Sequence, residues 1–300
     1  MDSIQLAPYN DTMRLGQGYN SFLQLPCLDG AVKIHASDIQ THVARADPSA
    51  SVSQVVSYNS RFVERISDVA RGMNVSAASS IKSGTIGISG NSLGVDEAKF
   101  ADSDLNAFIS VKVINREEFA SSALESALRE TETTITVSWS GGGQINPDGE
   151  EWTLESLIRA VSGFPARVAT CPQKTWAVLT PYTQNQSFVK WAAESKICVP
   201  TFSHIEQYTD NLLDSYMLYK RHLALLQAAM RDPLAFREGK CGNHISLDVY
   251  SLVETRKAIK YEMAKIVGII DSLNQDPNGI ITTEIESAEL WATRLPILEN

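Results

Sequence analysis

The feature that most constrains the fold of this chain is a pair of long helical repeats in residues 201–300. Apolar residues recur at alternating spacings of three and four from Ile205 to Met230 and again from Leu252 to Leu273. Each repeat predicts an amphipathic helix of about seven turns. Asp232-Pro233 and Asp276-Pro277 end the two runs. The roughly fifteen residues between the runs are few, which predicts an antiparallel helical hairpin.

The first two hundred residues show a period of two instead. The alternation in Ala107–Ile114 and in Thr133–Ser140 predicts half-buried strands. Lys174–Thr180 is more apolar, which favours a central strand. β-branched residues recur through the Ser- and Gly-rich segment 73–95, which favours one or two bent strands over the alternative of a loop. The segment 116–132 fits a helix and a charged edge strand equally well.

Two helix starts are predicted by their capping residues. Thr153 can cap a helix over residues 152–163, which Gly163-Phe164-Pro165 is expected to end. Ser203-His-Ile-Glu206 has the pattern of a capping box in front of the first long helix.

These elements predict an α+β fold in two parts. Residues 1–200 are expected to form a bent, twisted antiparallel sheet with short helices. Residues 201–300 are expected to form a helical region whose hairpin packs on that sheet.

Charge and composition exclude several classes of protein. The net charge of −9 argues against a protein that grips nucleic acid or an anionic membrane by bulk charge, although a local basic patch is compatible with it. No window is long and apolar enough for a transmembrane helix, and the N-terminal residues lack the pattern of a signal peptide. The four scattered cysteines predict free, mostly buried thiols in a reducing compartment, so we expect a cytoplasmic protein.

The sequence carries no recognisable catalytic motif. The five histidines never stand four residues apart, so no metal site is expected. Gly141-Gly142-Gly143 follows a strand but lacks the Gly-Lys-Ser/Thr ending of a phosphate loop, so a connecting loop is favoured and no cofactor is expected. Five tryptophans are more than a core of this size needs, and some are candidates for lining a pocket.

Several segments resemble fungal proteins of the membrane-attack-complex/perforin (MACPF)-like group. The resemblance covers about residues 14–275 and is most specific in Asp104–Asn115 and Thr133–Gln144. Weaker similarity lies in Gly16–Asn20, Glu151–Leu157, Phe164-Pro165, Cys171-Pro172, Thr180-Pro-Tyr182 and Ser187-Phe188.

The resemblance implies a bent antiparallel sheet with two helical clusters, which in that family unfurl and insert into membranes. The family's glycine hinge would be expected between Asn115 and Thr133, but residues 116–132 contain no glycine. The chain therefore resembles a shortened member that has lost a strand, the hinge and one insertion segment. Glutamates and arginines in 116–132 would make membrane insertion unfavourable, so we expect a protein that does not form pores alone.

The main hypothesis is a non-lytic protein whose sheet binds an apolar small molecule or a protein partner. The first alternative is a cofactor-independent enzyme, a cyclase or isomerase of the pericyclase type in fungal natural-product biosynthesis. The second alternative is a pore-forming or membrane-associated assembly component. Nucleic acid and an integral membrane segment are not expected, and self-association into a homo-oligomer is left open.

Any ligand is expected near the triglycine. Trp139 alternates onto one strand face and is followed by Gly141, Gly142 and Gly143, where a ligand or backbone could approach closely. The remaining candidates for ligand contact are Trp152, Trp176 and Tyr19. The competing interpretation is that the tryptophans are core residues.

Overall fold

The structure is a computed structural model of the 300-residue chain. It describes residues 5–33, 54–87, 95–97, 100, 106–115, 137, 139, 142–145, 152–171, 173–239 and 244–299. The strands are β1 (Gln5–Pro8), β2 (Tyr19–Asn20), β3 (Leu25–Pro26), β4 (Gln54–Val63), β5 (Asn106–Asn115), β6 (Trp176–Leu179), β7 (Phe236–Arg237) and β8 (Ile297–Leu298). The helices are α1 (Ile66–Gly72), α2 (Ala77–Ser83), α3 (Leu154–Thr170), α4 (Gln186–Glu194), α5 (Glu206–Arg231), α6 (Val249–Gln275) and α7 (Ala288–Arg294). The predicted α+β class is confirmed.

The predicted helical hairpin is also confirmed, as α5 and α6. The two helices pack against each other, and His204 Nε2 lies 3.1 Å from the carbonyl oxygen of Pro277. The residue that precedes α5 therefore contacts the residue that follows α6, as an antiparallel pair requires. The capping box predicted at Ser203-His-Ile-Glu206 is wrong, because a 3₁₀ turn over Ser203–Ile205 leads into α5 and no side chain caps it.

The main core forms around the hairpin. It buries one apolar stripe from each long helix together with residues of α1, α2 and the N-terminal loop. Among its most buried members are Leu213, Tyr219, Leu226, Leu252, Ile259, Ile266, Ile270, Ala70, Ala78 and Ile81. The core therefore draws on residues from both sides of position 200.

The prediction of strands over 73–95 is wrong where the structure describes that segment. Ser76 caps α2 by accepting a hydrogen bond from the Ser79 amide, and Gly84 ends the helix with a φ of 75°. Only Ile81 of the β-branched residues in the segment lies within Ala77–Ser83. The alanines of α2 favour a helix, and their small side chains let it pack closely on α5.

Two antiparallel strand pairs make up most of the strand content. β4 and β5 pair over ten residues, from Gln54 opposite Asn115 to Val63 opposite Asn106, and β1 pairs with β6. β5 and β6 confirm two of the predicted strands, whereas Thr133–Ser140 lies largely outside the described residues. β6 pairs only with β1 within the described residues, and its Val178 is 68% exposed, so the expected central position of this strand is corrected.

Helix α3 begins as predicted but ends later. The Thr153 hydroxyl accepts from the Ser156 amide and the Ser156 side chain accepts from the Thr153 amide, which completes a capping box. The helix then continues through Pro165 to Thr170, so the predicted end at Gly163-Phe164-Pro165 is wrong. A proline inside a helix removes one amide donor and the helix tolerates this loss here.

The cysteines are free where the structure describes them, but they are not buried. Cys27, Cys171 and Cys198 are all exposed, which corrects the expectation of mostly buried thiols.

Polar side chains of α5 bind main-chain groups of the elements around it. Asp214 accepts hydrogen bonds from the amide and the hydroxyl of Ser67 at the start of α1, at 2.9 and 3.0 Å. Lys220 Nζ donates to the carbonyl of Gly84 at the end of α2, at 2.8 Å. The side chains of α5 therefore position both short helices.

The segment 280–287, which we call the strap, crosses the hairpin without forming a helix or a strand. The Tyr219 hydroxyl donates to the Glu286 carbonyl, and Glu262 accepts from the Glu286 amide at 3.0 Å. Lys265 donates to the Glu284 carbonyl at 3.1 Å. Just beyond the strap, His222 Nε2 lies 2.8 Å from the Ala288 carbonyl. Burial raises the pKa of Tyr219 further above neutral pH, where the phenol is in any case protonated and able to donate.

Tyr219→Phe should lower the free energy of unfolding by about 1–2 kcal/mol, because the half-buried Glu286 carbonyl loses its donor. Tyr208→Phe is the matched control, since Tyr208 lies on the same helix but is 38% exposed. Urea unfolding followed by circular dichroism measures both. Equal stability of the two variants would show that the Tyr219 hydroxyl does not hold the strap.

Candidate functional site

Four of the seven predicted ligand-contact residues lie together. The indole N–H of Trp139 donates to the carbonyl of Gly143 at 3.0 Å. The rings of Trp139 and Trp152 lie edge to face, with centroids 6.3 Å apart and planes at 70°. We call Trp139, Gly142, Gly143 and Trp152 the tryptophan corner. Gly141 lies outside the described residues.

The glycine loop of the corner is docked on α3. The Gly142 amide donates to the Cys171 carbonyl at 3.0 Å, and the Arg167 guanidinium donates to the Gln144 carbonyl. Gly142 has a φ of 71°, and a Cβ there would lie 3.2 Å from the Phe164 ring. Both the conformation and the close approach require glycine at this position. The close approach expected at the triglycine is thus made at Gly142 by the protein itself.

Gly143 differs from Gly142 in its surroundings. Its φ is 66°, but a Cβ built on it would meet no atom within 4 Å. The loop is therefore packed at one glycine and open at the next. An approaching ligand would meet the open side beside the half-buried ring of Trp139.

The tryptophan corner offers a ligand mainly aromatic surface. The described groups that meet there are two indoles, glycine main chain and the exposed Arg167. The indole N–H of Trp139 is already satisfied by the Gly143 carbonyl. The described groups include no pair of carboxylates or histidine for acid–base work, so the arrangement is suited to stacking against an apolar or aromatic surface.

Trp176 is placed elsewhere. It lies on β6 opposite Pro8, and its ring faces Lys112 of β5, whose Nζ is 5.3 Å from the ring centroid. Burial lowers the pKa of Lys112. Within the described parts of the chain, no ring contact joins Trp176 to the tryptophan corner, and its described contacts are with Pro8 and Lys112.

Tyr19 also lies apart from the corner. It pairs with Pro26 across the short β2–β3 hairpin, and Gly18 beside it packs against the hydroxyl of Tyr182. Burial, and secondarily Cys27, raises the pKa of Tyr19 to about 12. The described contacts of Tyr19 are thus those of the N-terminal β2–β3 hairpin.

Sequence reasoning missed the residues that hold the corner and the cation beside Trp176. Phe164 and Arg167 come from the last turns of α3, beyond the predicted end of that helix. Lys112 was visible as the only charged residue in the apolar strand β5. A single charged residue within an apolar strand was therefore the sequence signal that could have identified Lys112.

Comparison with family models, curated proteins and solved structures finds no match to this chain. Among the helices that the structure describes, none combines the length and apolar character needed to cross a membrane. In the same described residues, no group of three or more His, Cys, Asp or Glu side chains could hold a metal ion.

Alanine at the two corner glycines should separate packing from conformation. Gly143→Ala should cost about 1 kcal/mol, the strain of a left-handed alanine. Gly142→Ala should cost about 1–3 kcal/mol more, because its Cβ also presses on Phe164. Chemical unfolding measures both variants, and equal costs would mean that the loop is not docked on α3 as described.

Proposed function

We propose that this protein is a non-lytic binding protein, a shortened MACPF-like chain whose sheet region binds an apolar small molecule or a protein partner. The observation that supports the proposal is the tryptophan corner. The Gly143 carbonyl fixes the orientation of the Trp139 ring, and Trp152 meets it edge on. Rigid aromatic side chains of this kind provide contact area at a low cost in conformational entropy.

The position of the corner supports the same proposal. The loop is anchored to α3 through Gly142 and Arg167, and α3 packs on β4 and β5. A binding site on rigid elements holds its geometry better than one on a free loop.

The enzymatic alternative uses the same corner. A cofactor-independent cyclase or isomerase would fold an apolar substrate against the two indoles and accelerate its reaction by orientation. Turnover of a bound compound, detected by a change in its mass or absorbance, would instead support the enzyme.

The protein should not release dye from neutral or anionic liposomes at micromolar concentration. The segment 116–132 carries glutamates and arginines, and a lipid-facing arginine costs about 2–4 kcal/mol at the middle of the bilayer. A fluorescence assay with an encapsulated dye measures release, with a detergent-lysed sample as the full-release control. Dye release above the protein-free background would favour the pore-forming alternative.

The binding role is tested with Nile red, a neutral apolar dye whose fluorescence rises in apolar sites. Trp139→Phe should weaken dye binding by about tenfold while the melting temperature changes little, because the ring then loses its anchoring bond to Gly143. Trp191→Phe is the control, since Trp191 lies on α4 and is 52% exposed.

Two results would contradict this role for the corner. A large fall in melting temperature for Trp139→Phe with unchanged dye affinity would assign Trp139 to the core. An equal loss of dye binding in Trp139→Phe and Trp191→Phe would show that the dye does not report the corner.

A further inference from the structure

The four strands of the two larger pairs have an unusual charge for this chain. β1, β4, β5 and β6 contain no aspartate or glutamate, whereas they contain Arg61 and Lys112. The whole protein has a net charge of −9. The paired strands are therefore a locally positive region on an acidic molecule, which attracts anions.

Both cations lie on the same face of the β4–β5 pair. In the register, Ser57 is opposite Lys112, Asn59 is opposite Ser110, and Arg61 is opposite Phe108. Successive residues of a strand point to opposite faces, so these three pairs share one face. We call this set of six residues the polar face. Ser57, Asn59 and Arg61 are exposed.

Neither cation is neutralised by a carboxylate of the described residues. Lys112 lies over the Trp176 ring, and the Arg61 guanidinium carbon lies 5.9 Å from the centroid of the Phe108 ring. Arg61 also donates to the main-chain carbonyl of Asp68 at 2.6 Å. Several other cations of the protein are paired with acids: Arg65 with Asp214, Arg71 with Asp210, Lys82 with Asp271 and Lys220 with Glu97.

Aromatic groups border the polar face at both ends. Trp176 lies at the Lys112 end, and Phe108 packs against Gly72 of α1 at the other end. Between them lie hydroxyl and amide groups, which can donate hydrogen bonds to an anion. Each cation rests on a ring, which restricts its position before any ligand arrives.

We propose that the polar face binds a small, multiply charged oxyanion, a phosphate or carboxylate compound, between Lys112 and Arg61. Ser57 and Ser110, the nearest neighbours of Lys112 on this face, supply hydroxyl donors, and Asn59 supplies an amide. Lys112 and Arg61 are four positions apart in the register, about 13 Å along the strands. An elongated anion therefore fits better than a single phosphate. This site does not depend on the role proposed for the tryptophan corner.

The test is isothermal titration of the full chain with tripolyphosphate and, separately, with citrate, at low ionic strength. Binding of either probe is the expected result, and the two arms distinguish phosphate from carboxylate compounds. Lys112→Met and Arg61→Met should each weaken binding by about tenfold or more, since each removes one charge-assisted interaction. Lys112→Arg should retain binding, because it keeps the charge at the same position.

Lys190→Met is the matched control, because Lys190 is an exposed lysine on α4 and its loss changes the net charge equally. It should leave the affinity unchanged. Absence of binding by the wild-type chain would overturn the proposal. So would equal weakening by Lys112→Met and Lys190→Met, since the effect would then be bulk charge. Melting temperatures of all variants check folding, and if Lys112→Met unfolds, the comparison of Arg61→Met with Lys190→Met decides.

Discussion

The structure depends on one amphipathic helix, α5, whose polar side chains satisfy the main chain of its neighbours. Asp214 accepts from the first turn of α1, and Lys220 donates to the carbonyl that follows α2. The charges match the helix dipoles, negative at the start of one helix and positive at the end of the other. Tyr219 and His222 also contact main-chain carbonyls, those of Glu286 in the strap and of Ala288 at the start of α7. Because unpaired main-chain groups are costly to bury, these contacts determine where the surrounding elements can lie.

The helical hairpin could be predicted from sequence because its apolar residues keep one spacing over about seven turns in each helix. Predictions that rested on one or a few residues were less reliable. Proline did not end α3, and β-branched residues on either side of Ala77–Ser83 concealed α2. The strap could not be predicted at all. Its anchors, such as Tyr219 and Glu262, look like ordinary members of helical repeats, and their partners are main-chain atoms many residues away.

The candidate site shows the same limit. Trp139, Gly143 and Trp152 lie close in the chain, so their proximity could be inferred from a loop between a strand and a capped helix. Trp176 depends on strand pairing, which brings it to Lys112 rather than to the corner. The residue pattern within one strand does not determine which other strand pairs with it. Contacts between strands far apart in the chain therefore could not be predicted from the sequence.

The strap has a consequence for how this chain can change during evolution. Four hydrogen bonds join side chains of the hairpin to residues 284, 286 and 288. All four are made to main-chain atoms of those residues and none to their side chains. These four bonds therefore tolerate changes in the strap side chains, although Ile281 and Ile285 also pack against the main core and Glu286 pairs with Arg294. Proline at position 286 would remove one of these bonds, because it lacks the amide that donates to Glu262. Related chains should conserve the anchors Tyr219 and Glu262 on the helices, while exposed strap positions such as Thr282 and Thr283 vary.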